Sequence, residues 1–426
     1  MSTSALRNLI SLKLKPLSIS YPQARIFRNP LASPARKMST FVQAPHKLLV
    51  IPGPIEVTDE VLYANAHPSM SHMSPDFAPV FGDCIRMIRQ GRASGSSDAQ
   101  PFLIAGSGTL GWDQVSANLV EPGENALVLH SGYFADSFAD CLQIYGANVD
   151  QVKAEIGGAV KEADIERALK AKKYKVVTVT HVDTSTAVLS NVKAVAEVVK
   201  RVSPDTLVVV DAVCSVASEE IQMDAWGIDA VLTASQKGLG TPPGLSIVVA
   251  SQKAIQVFEN RSTPVTTYYG SWKKWLPIMK AYENNSAAYF ATPPVNLIYA
   301  FHASLTQIMQ GSVSLEQRFK LHQDASRRIK KAAEKIGFKG VPISEDVQAN
   351  GMTALYFPDG FVANDIIPRL LKKDVVVAGG LHASIKDKYF RIGHMGVSVV
   401  DPSRGDIDKV ISAMQETLAE ARASKQ

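Results

Sequence analysis

The sequence predicts an α/β fold with two parts: a large domain on a mainly parallel sheet flanked by helices, then a smaller C-terminal α/β domain. Three observations predict it. Short β-branched runs alternate with amphipathic helical patterns over most of the chain, and near Val295 the character changes to a helix-rich stretch. A length of 426 residues also exceeds what one small core supports.

Taken in order, residues 1–37 read as a leader. They hold Arg7, Lys13, Lys15, Arg25, Arg28, Arg36 and Lys37 without one Asp or Glu, and Leu6, Ile10, Leu14 and Leu17 share one side of a helical wheel. That is the pattern of a mitochondrial presequence; a basic tail without structure has the same composition. Met38 can restart translation, which would give a second, cytosolic form. The C-terminal Ser424-Lys425-Gln426 only partly matches the peroxisomal Ser-Lys-Leu signal, so a peroxisomal address is the weaker alternative.

Residues 38–61 are expected to form an N-terminal arm, 62–305 the large domain and 306–426 the small one. Strands are expected at Ala126–Leu129, Val176–Thr180, Leu207–Val210, Ala230–Thr233 and Ser246–Val249, with helices over Ala163–Ala171 and Val192–Arg201 between them. In the second part, Phe319, His322, Ala325, Ile329, Ala332, Ala333 and Ile336 mark one helix face, and Gly337 should stop that helix. Strands at Thr353–Phe357, Val375–Val377 and Tyr389–Ile392 and a last helix from Asp406 complete the small domain. Ligands of such sheets gather at the carboxyl ends of the strands.

The net charge of +5 comes from the leader. Without its seven cations the chain has 38 basic and 40 acidic residues, so an electrostatic motive for binding nucleic acid is gone. No apolar run reaches the ~18 residues of a membrane span. Cys84, Cys141 and Cys214 lie too far apart for a metal or disulfide framework and fit buried packing in a reducing compartment.

The chemistry begins with Leu207–Asp211, an apolar run delivering a carboxylate at its end. Twenty-six residues later, Lys237 follows the next such run. Alone, the Asp would be a helix cap and the Lys a solvated surface residue. Facing one crevice, they are the pair that pyridoxal phosphate (PLP) requires: an acid for the pyridine nitrogen, and an amine that binds the cofactor covalently and moves a proton.

Before them, Gly106-Ser107-Gly108-Thr109-Leu110-Gly111 joins a strand at Gln100–Ala105 to a helix. Its glycines would admit a phosphate to backbone N–H groups at a helix N-terminus. The same spacing is the dinucleotide fingerprint, which makes an NAD-dependent dehydrogenase the rival from another enzyme class. The rival wants an acid at the end of the next strand, where this chain has His130-Ser131-Gly132. Tyr133-Phe134 offers a ring to stack on a planar cofactor, or a core aromatic. Tyr289 and Thr292 present two hydroxyls three residues apart. Arg391, in an apolar strand, needs either an internal salt bridge or a substrate carboxylate.

Six segments, AGSGTLGWD (105–113), THVDTSTAVLS (180–190), VVDAVCS (209–215), LTASQKGLG (232–240), YFATPPV (289–295) and RIGHMGV (391–397), closely resemble the class V aminotransferases of PLP fold type I, in particular the fungal members acting on alanine and glyoxylate. The resemblance runs from about Lys47 to about Ala413. It implies that Ser107, Gly108, Thr109 and Gln236 cradle the PLP phosphate, that Phe134 and Val213 cover the two ring faces, and that Asp211 pairs with the pyridine nitrogen. Thr184, or Ser185 beside it, would reach the phenolic oxygen. Lys237 and Asp211 would be catalytic, and Arg391 would clamp the substrate carboxylate beside Gly53-Pro54-Ile55. Tyr289 and Thr292 would reach the phosphate of the neighbouring subunit in a homodimer with shared sites. Mammalian relatives have His at the position of Thr109 and Trp at that of Phe134, which loosens the transfer there.

The activity implied is transamination of glyoxylate with L-alanine, with small-molecule partners only and no metal. Serine:glyoxylate, serine:pyruvate or phosphoserine transamination would use nearly the same residues. Cysteine desulfuration would need a mobile cysteine after Lys237, and the chain has none beyond Cys214.

Overall fold

The computed structural model describes residues 41–90 and 98–425; the leader and Met38 lie outside them. A seven-stranded sheet organises the larger part. Its strands are β1 (Gln100–Ala105), β2 (Asn125–His130), β3 (Asn148–Lys153), β4 (Val176–Thr180), β5 (Leu207–Asp211), β6 (Ala230–Ala234) and β7 (Leu245–Ala250). The spatial order is β1-β7-β6-β5-β4-β2-β3. Every pair is parallel except those made by β7, which runs antiparallel to both β1 and β6.

The central strands are near-continuous Val, Leu, Ile and Ala because helices cover both faces of the sheet. All five residues of β4, β5 and β6 are buried. Helix α1 (Thr109–Leu119) follows β1 and helix α2 (Tyr133–Ile144) follows β2. The core under these helices runs from Phe77 and Phe81 through Trp112, Phe138 and Val209 to Trp272 and Phe301.

The later part is a four-stranded antiparallel sheet of Lys339–Gly340, Met352–Tyr356, Tyr389–Gly393 and Ala378–Gly379. The long helix Leu315–Ile336 starts at a Ser314–Gln317 capping box and ends at Gly337, whose φ of 106° suits glycine. The strand expected at Val375–Val377 is present as Val375–Val376 and stays outside that sheet. It pairs in parallel with Leu48–Leu49 of the arm, so the arm is fastened to the later part of the chain. Glu56, 5% exposed, tightens the fastening by accepting from the Leu49 amide and the Arg404 guanidinium, each at 2.9 Å.

A third apolar cluster joins the two sheets. It includes Ile55, Val182, Cys214, Met352, Tyr389 and Met395, residues from the arm, the loops after β4 and β5 and the four-stranded sheet. The arm therefore lies between the ends of β5 and β6 and the strand holding Arg391. The Ile55 amide donates to the Gln236 carbonyl at 3.2 Å, and the Gly393 amide donates to the Val50 carbonyl at 2.8 Å.

Candidate active site

At the carboxyl ends of β1, β4, β5 and β6 lies a cavity of about 150 Å³. Its lining includes Ser107, Gly108, Thr109, Phe134, Thr184, Asp211, Val213, Gln236 and Lys237, so nine of the residues singled out in the sequence converge on one space. Trp112, Thr180, Val182 and Cys214 complete it.

Asp211 is delivered by register. It closes β5 opposite Thr180 of β4 and Leu232 of β6, the last paired position of the strand on each side. Its Oδ1 accepts the Val213 amide at 3.0 Å and its Oδ2 accepts the Trp112 indole N–H at 2.8 Å. Burial pushes this carboxyl up to about 6, opposed by those two donors. The charge of Asp183 adds to the rise and that of Lys237 reduces it.

Lys237 is 9% exposed, and its ammonium donates to the Pro52 carbonyl. Burial lowers its pKa, which favours the neutral amine that attacks a carbonyl and accepts a proton. The arm packs against it tightly: a Cβ on Gly53 would lie 2.3 Å from Lys237 Cδ, and Gly53 has φ +96°.

The opposite end of the cavity is made for an anion. Helix α1 begins after Gly108 with no side-chain cap; the Leu110 and Gly111 amides donate to the Ser107 and Gly108 carbonyls, which leaves the amides of Gly108 and Thr109, two residues that line the cavity, as donors for an anion. Gly108 is glycine for room, since a Cβ there would meet Val213 Cγ2 at 2.9 Å. Gln236 Oε1 is buried without a hydrogen-bond partner. A half-turn of that amide presents the NH₂ instead, a donor for a phosphate oxygen. The orphaned amide, the uncapped helix end, the lysine and the buried acid together fit pyridoxal phosphate.

The choice left open between Thr184 and Ser185 is narrowed by contacts. Ser185 is fully buried, donates to Asp183 Oδ1 at 2.6 Å and accepts the Tyr133 amide at 3.0 Å, while Thr184 lines the cavity. Phe134 reaches the cavity from the first turn of α2, whereas Tyr133 is 43% exposed.

Arg391 forms no salt bridge among the described residues. Its Nε donates to the Gly379 carbonyl at 2.8 Å and one terminal nitrogen to the Thr184 carbonyl at 3.1 Å. Two backbone oxygens thus aim a guanidinium that has no carboxylate in ion-pair contact among the described residues; Asp183 acts on it only at longer range, and its charge is felt at Lys237.

Tyr289 and Thr292 are not brought to this cavity. Both are exposed, in the loop before the helix Val295–Gln310, with the Tyr289 ring 5.4 Å from that of His72. Cys214 is buried 3.8 Å from Met352 Sδ, and burial raises its thiol pKa, so it is no mobile nucleophile. Cys141, expected to be buried, is only partly so; it faces α1 near the last turn of α2, 3.6 Å from Ser116 Oγ and 3.9 Å from Asp113 Oδ1. Sequence reasoning missed Trp112 as a site residue, although it stands inside a quoted motif; an indole N–H in an apolar setting needs an acceptor, and that signal was available. No group of three or more His, Cys, Asp or Glu is gathered as metal ligands would be among the described residues.

The dinucleotide reading fails on topology. β1 lies at the edge of the sheet beside the antiparallel β7, and β2, which follows it through α1, is five places away. The βαβ crevice that the glycine fingerprint serves is absent.

A lysine, a buried acid and an uncapped helix end, gathered at the strand ends of this sheet, define a pyridoxal-phosphate enzyme of fold type I. The chain belongs to the class-V aminotransferases, whose family model matches residues 57–398. It is similar to alanine–glyoxylate aminotransferase 1 of Saccharomyces cerevisiae, at 43% identity over 82% of this chain and 92% of the relative. It is also similar to L-aspartate–glyoxylate aminotransferase of Paracoccus denitrificans, at 32% identity over 82% and 86%. The crystal structure of alanine–glyoxylate aminotransferase from Nostoc sp. matches with a TM-score of 0.81 at 27% identity, covering 91% of this chain and all of that one. The protein is a PLP-dependent aminotransferase.

Proposed function

We propose that this aminotransferase moves the amino group of L-alanine to glyoxylate, giving pyruvate and glycine. The observation that carries the choice of substrate is Arg391, a cation aimed by the Gly379 and Thr184 carbonyls and left without a carboxylate. It suits one substrate carboxylate in a fixed plane. A donor with a second carboxylate would need a second cation. Arg261, in the loop after the helix Gln252–Glu259, spends its guanidinium on the Asn118 and Val120 carbonyls at 3.2 and 3.0 Å. The yeast relative named for alanine and glyoxylate supports this over the aspartate-named one.

When bound, PLP withdraws electrons from the carbon carrying the amino group. The residues do the rest. Ser107, Gly108, Thr109 and Gln236 would hold the phosphate, Phe134 and Val213 the ring faces, and Thr184 the phenolic oxygen. Asp211 would keep a proton on the ring nitrogen. Lys237 would hold the cofactor covalently and, once the substrate amine replaces it, carry the proton from the substrate Cα. Pro52 and Gly53 would confine that amine, and Arg391 would orient the substrate.

Assembly and address belong to the same proposal. Tyr289 and Thr292, exposed away from their own cavity, would complete the phosphate site of a second copy in a homodimer. The acid-free basic leader would direct the chain to mitochondria, with a cytosolic form from Met38; a reporter fused to residues 1–37 that shows the same distribution as one without them would refute this. The catalytic proposal is tested by a donor and acceptor panel on the purified enzyme, where 2-oxoglutarate matching glyoxylate would overturn it.

A further inference from the structure

We propose that Trp112 is a positioning residue for Asp211: its indole N–H fixes the plane of the carboxylate and keeps it ready to hold a protonated cofactor nitrogen.

Trp112 stands one turn into α1, the helix whose N-terminus opens the phosphate end of the cavity at Ser107–Thr109. From there Nε1 reaches across to Asp211 Oδ2 at 2.8 Å. One helix turn therefore ties together the two ends of the site, the anion cradle and the buried acid. Tryptophan supplies a donor and no acceptor, so this contact can serve only an oxygen with a free lone pair, and it is strongest when that oxygen is charged.

The ring is held as firmly as the carboxylate. It is 6% exposed, stacks on Phe138 at 5.6 Å with 17° between planes, and meets Phe134 edge-on at 6.3 Å. Phe138 and Phe134 both belong to α2. Close approach of α1 to the sheet is allowed by Gly111, where a Cβ would sit 3.2 Å from Leu232 Cβ. The glycine that resembles part of a dinucleotide fingerprint thus sets the depth at which the next residue delivers its N–H.

The need for such a donor follows from the neighbours of Asp211. Burial and the Asp183 carboxylate both disfavour its charge; only the Val213 amide, the Trp112 indole and the more distant Lys237 favour it. The Val213 amide comes from the same turn as Asp211 and occupies Oδ1. Trp112 is the donor to Oδ2, and it alone comes from another element.

This inference rests on the proposed role of Asp211, and two changes separate the claims. Trp112→Phe keeps an aromatic face against Phe138 and removes the N–H. In the full-length enzyme it is expected to raise the PLP dissociation constant about tenfold or more, the range for a hydrogen bond to a charged group. Combined with Asp211→Asn, the same change is expected to alter that constant less than about threefold, because coupled residues are not additive. Equal losses in both backgrounds, or none in either, would overturn the role of Trp112. Unchanged turnover in Asp211→Asn alone would instead remove Asp211 from the chemistry. Should Trp112→Phe not fold, the four tryptophan indole N–H signals of the ¹⁵N-labelled holoenzyme decide. One should lie far downfield and move upfield in Asp211→Asn; four unmoved signals would contradict the contact.

Discussion

Gly53 touches Lys237 so closely that a single added methyl group would lie 2.3 Å from the lysine Cδ. The amine that binds the cofactor is confined by backbone on that side, with the Pro52 carbonyl accepting from it. Gly53→Ala adds both that clash and the strain of a side chain at φ +96°. Turnover should fall about tenfold to a hundredfold, from roughly 1–3 kcal/mol of strain at the site. Far-ultraviolet circular dichroism should not change. Wild-type kcat in Gly53→Ala would show that the arm does not confine the lysine.

Arg391→Ala should weaken donor and acceptor alike, because one guanidinium serves the carboxylate of each. The loss in kcat/KM is expected at about 2–5 kcal/mol for both alanine and glyoxylate, as for truncation of a buried charge pair. Steady-state kinetics with each substrate varied in turn would check it. A loss confined to one substrate would place the other carboxylate elsewhere.

The raised Asp211 carboxyl has a consequence for stability. Its folded value of about 6 lies above the ordinary 3.8. The stability it contributes is therefore present below about pH 4 and is lost as pH rises through about 6. In cofactor-free protein, Asp211→Asn should be the more stable chain at pH 8, by up to roughly 3 kcal/mol, since one pKa unit is 1.36 kcal/mol. The difference should shrink toward zero near pH 4. Denaturant melts at both pH values measure it; a variant less stable at pH 8 would contradict the sign.

These effects turn on residues of unequal legibility. Asp211 could be read because it closes an apolar strand, and Lys237 because it comes three residues past the end of the next one, and the carboxyl ends of such strands face the crevice. The direction of β7 could not: Leu245–Ala250 is as apolar as the parallel strands of the same sheet, and periodicity contains no strand direction. Val375–Val376 reads as any short strand, and its partner, Leu48–Leu49, lies too far along the chain for local pattern to connect them. Trp112 reads as core, because it sits in a helix buried almost throughout, and only the need of its indole N–H for an acceptor sets it apart. Pro52 had no signal, since the lysine contact uses its backbone carbonyl and not its side chain.

Tyr289 and Thr292 make assembly testable. Both are exposed and neither lines the cavity of its own chain. If they complete the site of a second copy, dilution to monomer should release PLP, and Tyr289→Phe should lower PLP retention without changing the melting temperature of the cofactor-free chain. A monomer fully active on a sizing column would contradict shared sites.

The most direct measurement is a half-reaction. L-Alanine added alone to purified holoenzyme should shift the visible absorption of the bound cofactor and release pyruvate up to one equivalent per site, and glyoxylate should then restore the spectrum and release glycine. Lys237→Ala should do neither, because no other residue lining the cavity offers an amine. Pyruvate release without a spectral change, an equal response to aspartate, or a Lys237→Ala enzyme that still completes both halves would contradict alanine–glyoxylate transamination at this site.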